Sequence, residues 1–288
     1  MIILGKKTVG RLETLLYANQ KFNWNDDWVM GISSYYAFWA WLLARITGRK
    51  CIYYCIDYYT YLVRKDFLDG ISIWLAAKLD HFLCKHVDIV WDISHRINQG
   101  RYDLERFILY RDIRANVIGE PVNMKDYGTP SIVMPLSYPP NYFRFKKTGI
   151  PRPVFVGLVP YGKEVWTDNT HWIGDGSKPI ENLLDELSAY GIGISVWDRC
   201  GNNYYGDPGK TKLYSACGLP VIMTDNTPYA EIVRKTGAGI IVDYTKESIE
   251  QAVKKIFRKY SFYKSNVKKT WEYIDADRLL NNIKILER

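Results

Sequence analysis

Residues 193–225 read GISVWDRCGNNYYGDPGKTKLYSACGLPVIMTD, and this stretch predicts the fold of the chain. The short apolar run at 193–197 predicts a buried strand, and a loop rich in Gly and Asn follows it. The loop leads into a predicted helix at 211–217, after which the apolar residues 219–223 predict a second strand. A strand–helix–strand order of this kind indicates a parallel sheet covered by helices.

The start of the predicted helix is a candidate anion site. Glycines in the preceding loop let backbone N–H groups approach a ligand closely, and a helix N-terminus favours negative charge. Lys210 adds a mobile positive charge and Thr211 adds a hydroxyl. From the residues alone, the segment fits either a phosphate or diphosphate site or an ordinary loop–helix junction.

Strand and helix patterns alternate on both sides of this segment. Apolar runs at 28–32, 51–56, 87–91, 114–118 and 132–134 predict strands of a first α/β domain. The helix after the first run is predicted to be capped by Ser33 or Ser34 and to end at Gly48. The Pro- and Gly-rich stretch 135–153 predicts a linker to a second alternating series. We expect domains at 1–140 and 141–262, and a C-terminal helix at 263–288 that packs back towards the first domain.

Composition excludes several classes of protein. The chain has 288 residues, of which 47% are hydrophobic and 24% charged, so disorder is not its main state. We see no apolar run long enough to span a bilayer and no signal peptide, and therefore expect a cytoplasmic protein. Five cysteines and four histidines show no metal-ligand spacing, so we expect no bound metal.

The net charge of +8 is spread over both halves of the chain, with an excess of three positive charges in residues 1–143 and five in 144–288. Diffuse positive charge suits phosphate-bearing ligands, anionic membrane surfaces or polyanions, and it equally suits a basic protein with no charge-specific partner. Nothing besides charge favours a nucleic-acid partner, and we expect none.

Residues 208–222 resemble the nucleotide-sugar-binding segment of GT-B glycosyltransferases, which in many members reads P-x-K-x-x-x-Y-x-A-x-G-x-P-V-I. The matching residues are Pro208, Lys210, Tyr214, Ala216, Gly218, Pro220, Val221 and Ile222. Within family 4-like enzymes, the resemblance is closest to the branch of bacterial galactofuranosyltransferases and related glucosyltransferases. It covers roughly 190–260, extends to 131–165, and is weaker in the N-terminal half. It implies an α/β GT-B fold, with two facing Rossmann-like domains and a shortened N-terminal domain.

The resemblance implies that the second domain holds the donor. Lys210 and Thr211 would bind the diphosphate, and Tyr214 would lie near the ribose or a phosphate. Lys210 would also be catalytic, because it would stabilise the negative charge that develops on the leaving group. No cofactor is expected, since the nucleotide-sugar is itself the substrate.

Further donor contacts are implied by position in the motif. Gly157 closes the first strand of the second domain, and Lys163 lies six residues later, where it would add charge to the diphosphate site or be a solvated loop lysine. Asp175 belongs to the end of the next strand, where the base would pack. Thr227 and Glu231 lie at a helix start that faces the donor sugar in many relatives.

The sequence departs from the family pattern at several positions. The acidic E-x7-E pair of many family 4 enzymes is absent, and Tyr205 and Leu213 occupy those positions. The catalytic histidine of some members is replaced by Ile56. Asp57, directly after a predicted strand, is the candidate general base or acceptor ligand, and a helix cap or ion-pair partner is the alternative.

The first predicted helix carries an aromatic stripe. It contains Tyr35, Tyr36, Phe38, Trp39 and Trp41, and basic residues follow at 45, 49 and 50. Such a stripe fits a membrane-surface helix, which would bring the enzyme to the inner membrane face and a lipid-linked acceptor. A buried, Trp-rich helix is the alternative.

These observations predict a glycosyltransferase of polysaccharide biosynthesis, with a UDP-sugar as donor and a glycan or glycolipid hydroxyl as acceptor. Two alternatives remain open. One is a non-catalytic, nucleotide-binding subunit of a glycosyltransferase complex, and the other is a nucleotide-sugar epimerase of the GT-B fold. The sequence leaves the sugar, the stereochemistry and the oligomeric state open.

Overall fold

The computed structural model describes residues 2–4, 27–56, 67–94, 96–97, 129, 131–133, 136–145, 152–157, 162–174, 179–197 and 206–281. The chain divides into two compact units. The first contains the described residues up to 133 together with 206–207, and the second contains those at 136–197 and 208–281. Each unit is built on a parallel five-stranded sheet.

The first unit has the strand order β1-β2-β3-β4-β5, with all neighbouring strands parallel. Its strands are β1 (Ile2–Leu4), β2 (Trp28–Ile32), β3 (Lys50–Cys55), β4 (Ile89–Asp92) and β5 (Ser131–Val133). Helix α1 (Ser33–Thr47) connects β2 to β3, and α2 (Phe67–His86) precedes β4. The predicted strands at 28–32, 51–56, 87–91 and 132–134 are thus confirmed to within two residues, and the one predicted at 114–118 lies outside the described residues.

The start of α1 differs from the prediction. Strand β2 runs into the helix without a loop residue, and Ile32 takes the N-cap position with no side-chain capping bond. The prediction of a serine cap is therefore wrong. Because there is no loop, Ser33 itself makes the turn, with a φ of 67°. The predicted end of α1 is confirmed, since Gly48 caps it with a left-handed φ of 68°.

Strand β1 was not predicted. It is only three residues long, too short to show a periodic pattern, yet it pairs in parallel with β2 from Ile2 opposite Val29 to Leu4 opposite Gly31. The first unit therefore does contain a strand ahead of Trp28.

The second unit has the strand order β10-β9-β8-β6-β7, again with all neighbours parallel. Its strands are β6 (Pro153–Val156), β7 (His171–Ile173), β8 (Ile192–Ser195), β9 (Val221–Thr224) and β10 (Gly239–Val242). Its α-helices are α3 (Ile180–Leu187), α4 (Gly209–Ala216), α5 (Tyr229–Thr236), α6 (Lys246–Arg258), α7 (Tyr260–Val267) and α8 (Ala276–Asn281). Short 3-10 helices occupy Pro140–Tyr142, Lys163–Val165 and Lys268–Tyr273.

Helices cover both faces of the second sheet. Successive side chains of a strand point to opposite faces, so Val154 and Val156 join one apolar cluster while Phe155 joins another. Helices α3, α4 and α5 bury their apolar residues in the first cluster, and α6 buries Ile249 and Ile256 in the second. Burial on both faces explains why these strands are continuous apolar runs, the pattern that predicted them.

The C-terminal segment differs from the helix predicted at 263–288. The helix α7 ends at Val267, a 3-10 helix follows at Lys268–Tyr273, and α8 begins at Ala276. The break allows Trp271 to stack on Phe143 and to donate its indole N–H to the carbonyl of Ser215 at 2.8 Å. Among the described residues, no helix is both long and apolar enough to cross a membrane.

Candidate functional site

The N-terminus of helix α4 lies at the carboxyl edge of the second sheet. The hydroxyl of Thr211, in the first turn, is hydrogen-bonded to the hydroxyl of Ser195, the last residue of β8. The N-cap residue, Pro208, supplies no side-chain cap, so the first N–H groups of the helix are not satisfied by a capping side chain. Such a helix start is suited to bind an anion.

Lys210 provides positive charge at this helix start. Its side chain is half-buried, and its Nζ lies 5.7 Å from the ring centroid of Phe155 on strand β6. The ammonium group is thus directed towards the neighbouring strand at the same edge of the sheet. An anion bound at the start of α4 would lie within the field of both the helix and Lys210.

Two other residues of the predicted donor site are buried. Thr211 is fully buried, and its hydroxyl is engaged by Ser195. Tyr214 is also buried, and its hydroxyl oxygen accepts the backbone N–H of Val156 at 2.7 Å. Burial raises the pKa of Tyr214 well above its ordinary value, so the phenol stays neutral. Both side chains hold α4 against the strands, which makes them positioning residues.

A second lysine of the same motif has a different place. Lys212 is buried, and its ammonium donates to the carbonyl of Leu136 at 2.7 Å. Close by, the hydroxyl of Tyr138 donates to the carbonyl of Gly209 at 2.8 Å. The chain segment from 136 onward is thereby attached to the first turn of α4. This role of Lys212 was not predicted from the sequence, although Lys210 and Lys212, two positions apart on a helix, must face different directions.

A polar network follows strand β9 at the same edge. The hydroxyl of Thr224 accepts the N–H of Trp197 at 3.1 Å, and the amide of Asn226 donates to the carbonyl of Trp197 at 2.6 Å. This network, which the sequence analysis also missed, fixes the turn that carries Thr227. The Thr227 hydroxyl is buried and has no hydrogen-bond partner among the described residues. Glu231 lies in the first turn of α5 and is exposed.

The remaining predicted donor residues are placed as follows. Gly157 directly follows β6, and its carbonyl accepts the indole N–H of Trp172 at 2.7 Å. Lys163 is exposed and follows Gly162, where an added Cβ would lie 3.1 Å from the carbonyl oxygen of Val196, after β8. The structure therefore brings Gly157, Lys163, Lys210 and Thr227 to one edge of one sheet. Asp57 and Asp175 lie outside the described residues, as does Tyr205.

No metal cluster is found in the described part of the chain, where no three His, Cys, Asp or Glu side chains come together in a way that could hold an ion. The positive charge of Lys210 at the start of α4 suits a phosphate-bearing ligand.

The aromatic stripe of α1 is divided between packing and exposure. Trp41 packs against Phe82 of α2 with ring centroids 5.0 Å apart. Tyr35 and Trp39 are exposed. Two of the three basic residues near this helix have contacts within the first unit: Arg45 donates to the carbonyl of His86 at 2.7 Å, and Lys50 lies over the ring of Trp28.

Comparison with known proteins finds a family model that is similar to the second unit and a curated relative that is similar to part of the chain. Residues 153–283 match the family model of the glucosyltransferase 3-like, C-terminal domain. Glucosyltransferase 3 of Streptococcus gordonii is 37% identical over 87 residues, which are 28% of this chain and 25% of that protein. The matched stretch thus spans a quarter of the length of the curated relative.

Solved structures share the fold of almost the whole chain. Sucrose-phosphate synthase from Thermosynechococcus elongatus has a TM-score of 0.62 at 10% identity, over 95% of this chain and 75% of that one. The Anabaena protein HepE in complex with UDP and glucose has a TM-score of 0.62 at 9% identity. The match covers 97% of this chain and 83% of HepE. A Burkholderia xenovorans trehalose-phosphate synthase has a TM-score of 0.56, and the match covers 96% of this chain and 76% of that one. The predicted GT-B fold and the resemblance to GT-B glycosyltransferases are confirmed.

Proposed function

We propose that this chain is a glycosyltransferase that moves a sugar from a UDP-sugar to a hydroxyl group of a glycan or glycolipid. The observation that carries the proposal is the start of helix α4, where Lys210 and an uncapped helix N-terminus lie at the carboxyl edge of a parallel sheet. Ligands of open α/β sheets bind at this edge. The glucosyltransferase 3-like match covers the same residues, and HepE, which shares the fold, is in complex with UDP-glucose in its solved structure.

In the proposed reaction, the acceptor oxygen attacks the anomeric carbon of the donor sugar. The bond between that carbon and the diphosphate oxygen breaks, and UDP leaves with the electron pair. The start of α4 and Lys210 stabilise the negative charge that develops on the diphosphate. Lys163, at the same edge, adds a second positive charge. We propose that these groups act without a metal ion or further cofactor.

The donor sugar is assigned to the start of helix α5. The buried Thr227 hydroxyl lacks a partner among the described residues, and an unpaired buried hydroxyl is costly. A sugar hydroxyl could satisfy it, and Glu231, in the first turn of α5, could accept a hydrogen bond from another sugar hydroxyl. In this proposal the side chains of Thr211 and Tyr214 hold α4 in place and do not bind the ligand. Asp57 remains the proposed general base for the acceptor proton.

The test is UDP release from UDP-glucose and UDP-galactose by the purified chain, with and without short glycan and lipid-linked acceptors. Transfer should require an acceptor and should persist in the presence of a chelator. Lys210→Ala should lower turnover on the order of a hundredfold or more, since loss of one charge-stabilising donor typically costs about 2.7–4 kcal/mol. Lys269→Ala, an exposed lysine elsewhere on the same unit, is the matched control.

The alternatives predict different results in the same assay. A non-catalytic subunit would bind UDP and release none from a UDP-sugar. An epimerase would convert the UDP-sugar without an acceptor. Near-normal turnover by Lys210→Ala would show that the start of α4 does not stabilise the leaving group.

A further inference from the structure

One short segment near the C-terminus carries positive charges with no negative charge among them. Residues 251–270 read QAVKKIFRKYSFYKSNVKKT and contain seven Lys or Arg and no Asp or Glu, in a chain whose net charge is +8. The segment comprises the second half of α6, all of α7 and the start of the following 3-10 helix. Charge of one sign at this density creates a local field that a balanced surface does not have.

The packing of α6 directs this charge to the surface. Ile249, Val253 and Ile256 are buried against the sheet, so the other side of the helix carries the exposed residues. Gln251, Lys254, Lys255, Arg258 and Lys259 line an open groove on that side. Neither Lys254 nor Lys255 forms an ion pair with a residue that the structure describes. These charges are therefore available to a partner.

Two phenylalanines stand exposed beside these cations. Phe257, near the end of α6, is 40% exposed, and Phe262, in the first turn of α7, is 57% exposed. The residue between the two helices is Lys259. We call the following residues the basic-aromatic face: Lys254, Lys255, Phe257, Arg258, Lys259 and Phe262. It combines four cationic side chains with two exposed aromatic rings that have no polar atom.

We propose that the basic-aromatic face docks this chain on an anionic membrane surface. Lysine and arginine are attracted by the negative lipid headgroups, and the phenylalanine rings enter the interface between headgroups and acyl chains. A soluble polyanion would use the cations equally well but would leave both rings in water, so the combination favours a lipid surface. The α1 stripe is less suited, because its neighbouring cations Arg45 and Lys50 are engaged within the first unit.

The experiment is flotation of the full chain with vesicles of phosphatidylcholine alone, or with about 30% phosphatidylglycerol, at low salt. The chain should bind the anionic vesicles and not the neutral ones, and binding should fall as salt is raised. Lys254→Gln/Lys255→Gln should weaken binding about thirtyfold, and Phe262→Ser should weaken it several-fold without changing the net charge. Because these side chains are exposed, unchanged thermal unfolding and unchanged UDP binding are expected.

Matched controls make the result specific. Lys78→Gln/Lys85→Gln removes the same charge from exposed positions of α2 and should leave vesicle binding close to that of the unmodified chain. Trp39→Ser tests the α1 stripe in the same way. Equal loss in either control, insensitivity of binding to the face variants, or binding to dextran sulfate without binding to anionic vesicles would overturn the proposal. None of these outcomes depends on donor turnover, so the proposed function is tested separately.

Discussion

The hydroxyl oxygen of Tyr214 accepts the backbone N–H of Val156 at 2.7 Å, and this bond joins helix α4 to the last residue of strand β6. A second bond, between Thr211 and Ser195, joins the same helix to the end of β8. The start of α4 is therefore held across two strands. Its position, on which the proposed donor site depends, is fixed by buried contacts and does not require the ligand.

Replacement of Tyr214 by Phe should destabilise the fold by about 1–3 kcal/mol, because the buried N–H of Val156 loses its partner. The difference should depend on pH. Burial raises the pKa of Tyr214 above that of the unfolded chain, so its contribution is complete below about pH 10 and is lost progressively as the pH rises from that value towards the raised pKa of the folded chain. Urea unfolding of both proteins from pH 7 to 11 measures this. A difference that grows above pH 10 would contradict the assignment.

Gly193→Ala should be strongly destabilising, because an added Cβ would lie 2.3 Å from the ring of the buried Tyr214. Forced overpacking of a core typically costs about 1–3 kcal/mol. Gly174→Ala is the control, since a Cβ there meets no atom within 4 Å. Chemical unfolding should separate the two variants. Equal stabilities would mean that α4 does not pack closely on β8.

The two lysines of the motif should behave in opposite ways. Lys212→Met should lower the free energy of unfolding by about 1–3 kcal/mol, because the carbonyl of Leu136 loses its buried donor. Lys210→Met, at a half-exposed position, should change it by less than about 0.5 kcal/mol and should weaken UDP binding. Unfolding curves and UDP titrations of both variants give the comparison. A Lys210 variant that is unstable and binds UDP normally would reverse the assignment.

Thr227→Val should leave the free chain as stable as before, or slightly more stable, because a buried hydroxyl that lacks a partner among the described residues is replaced by a methyl group. The affinity for UDP alone should not change. The affinity for the UDP-sugar should fall, if the hydroxyl meets the sugar. Calorimetry with UDP and UDP-glucose separates these contributions, and an equal loss for both ligands would place Thr227 against the nucleotide instead.

The fold was predictable from sequence because the inner strands of the second unit, β6, β8 and β9, are buried on both faces. Continuous apolar runs such as those of β8 and β9 then alternate with helices, and this order alone indicates a parallel sheet. Strand β1 escaped detection because three residues show no period. The serine cap of α1 was predicted wrongly because sequence preference does not reveal that β2 enters the helix without a loop residue.

The candidate site was only partly predictable. The motif predicts an anion site at the helix start with Lys210, and this stays a prediction. The motif could not show that tertiary contacts with Ser195 and Val156 engage the hydroxyls of Thr211 and Tyr214, and these contacts hold the helix in place. The role of Lys212 could not be predicted either, because its hydrogen-bond partner, the carbonyl of Leu136, is 76 residues away in the sequence.

The most direct test of the donor site is a calorimetric titration of the folded chain with UDP, with GDP and ADP for comparison. We predict saturable binding of UDP that Lys210→Ala weakens about tenfold to a hundredfold, the effect of losing a hydrogen bond to a charged group, and that Lys269→Ala leaves unchanged. Equal binding of UDP by both variants, or no binding of any nucleotide by the folded chain, would contradict a donor site at the start of α4.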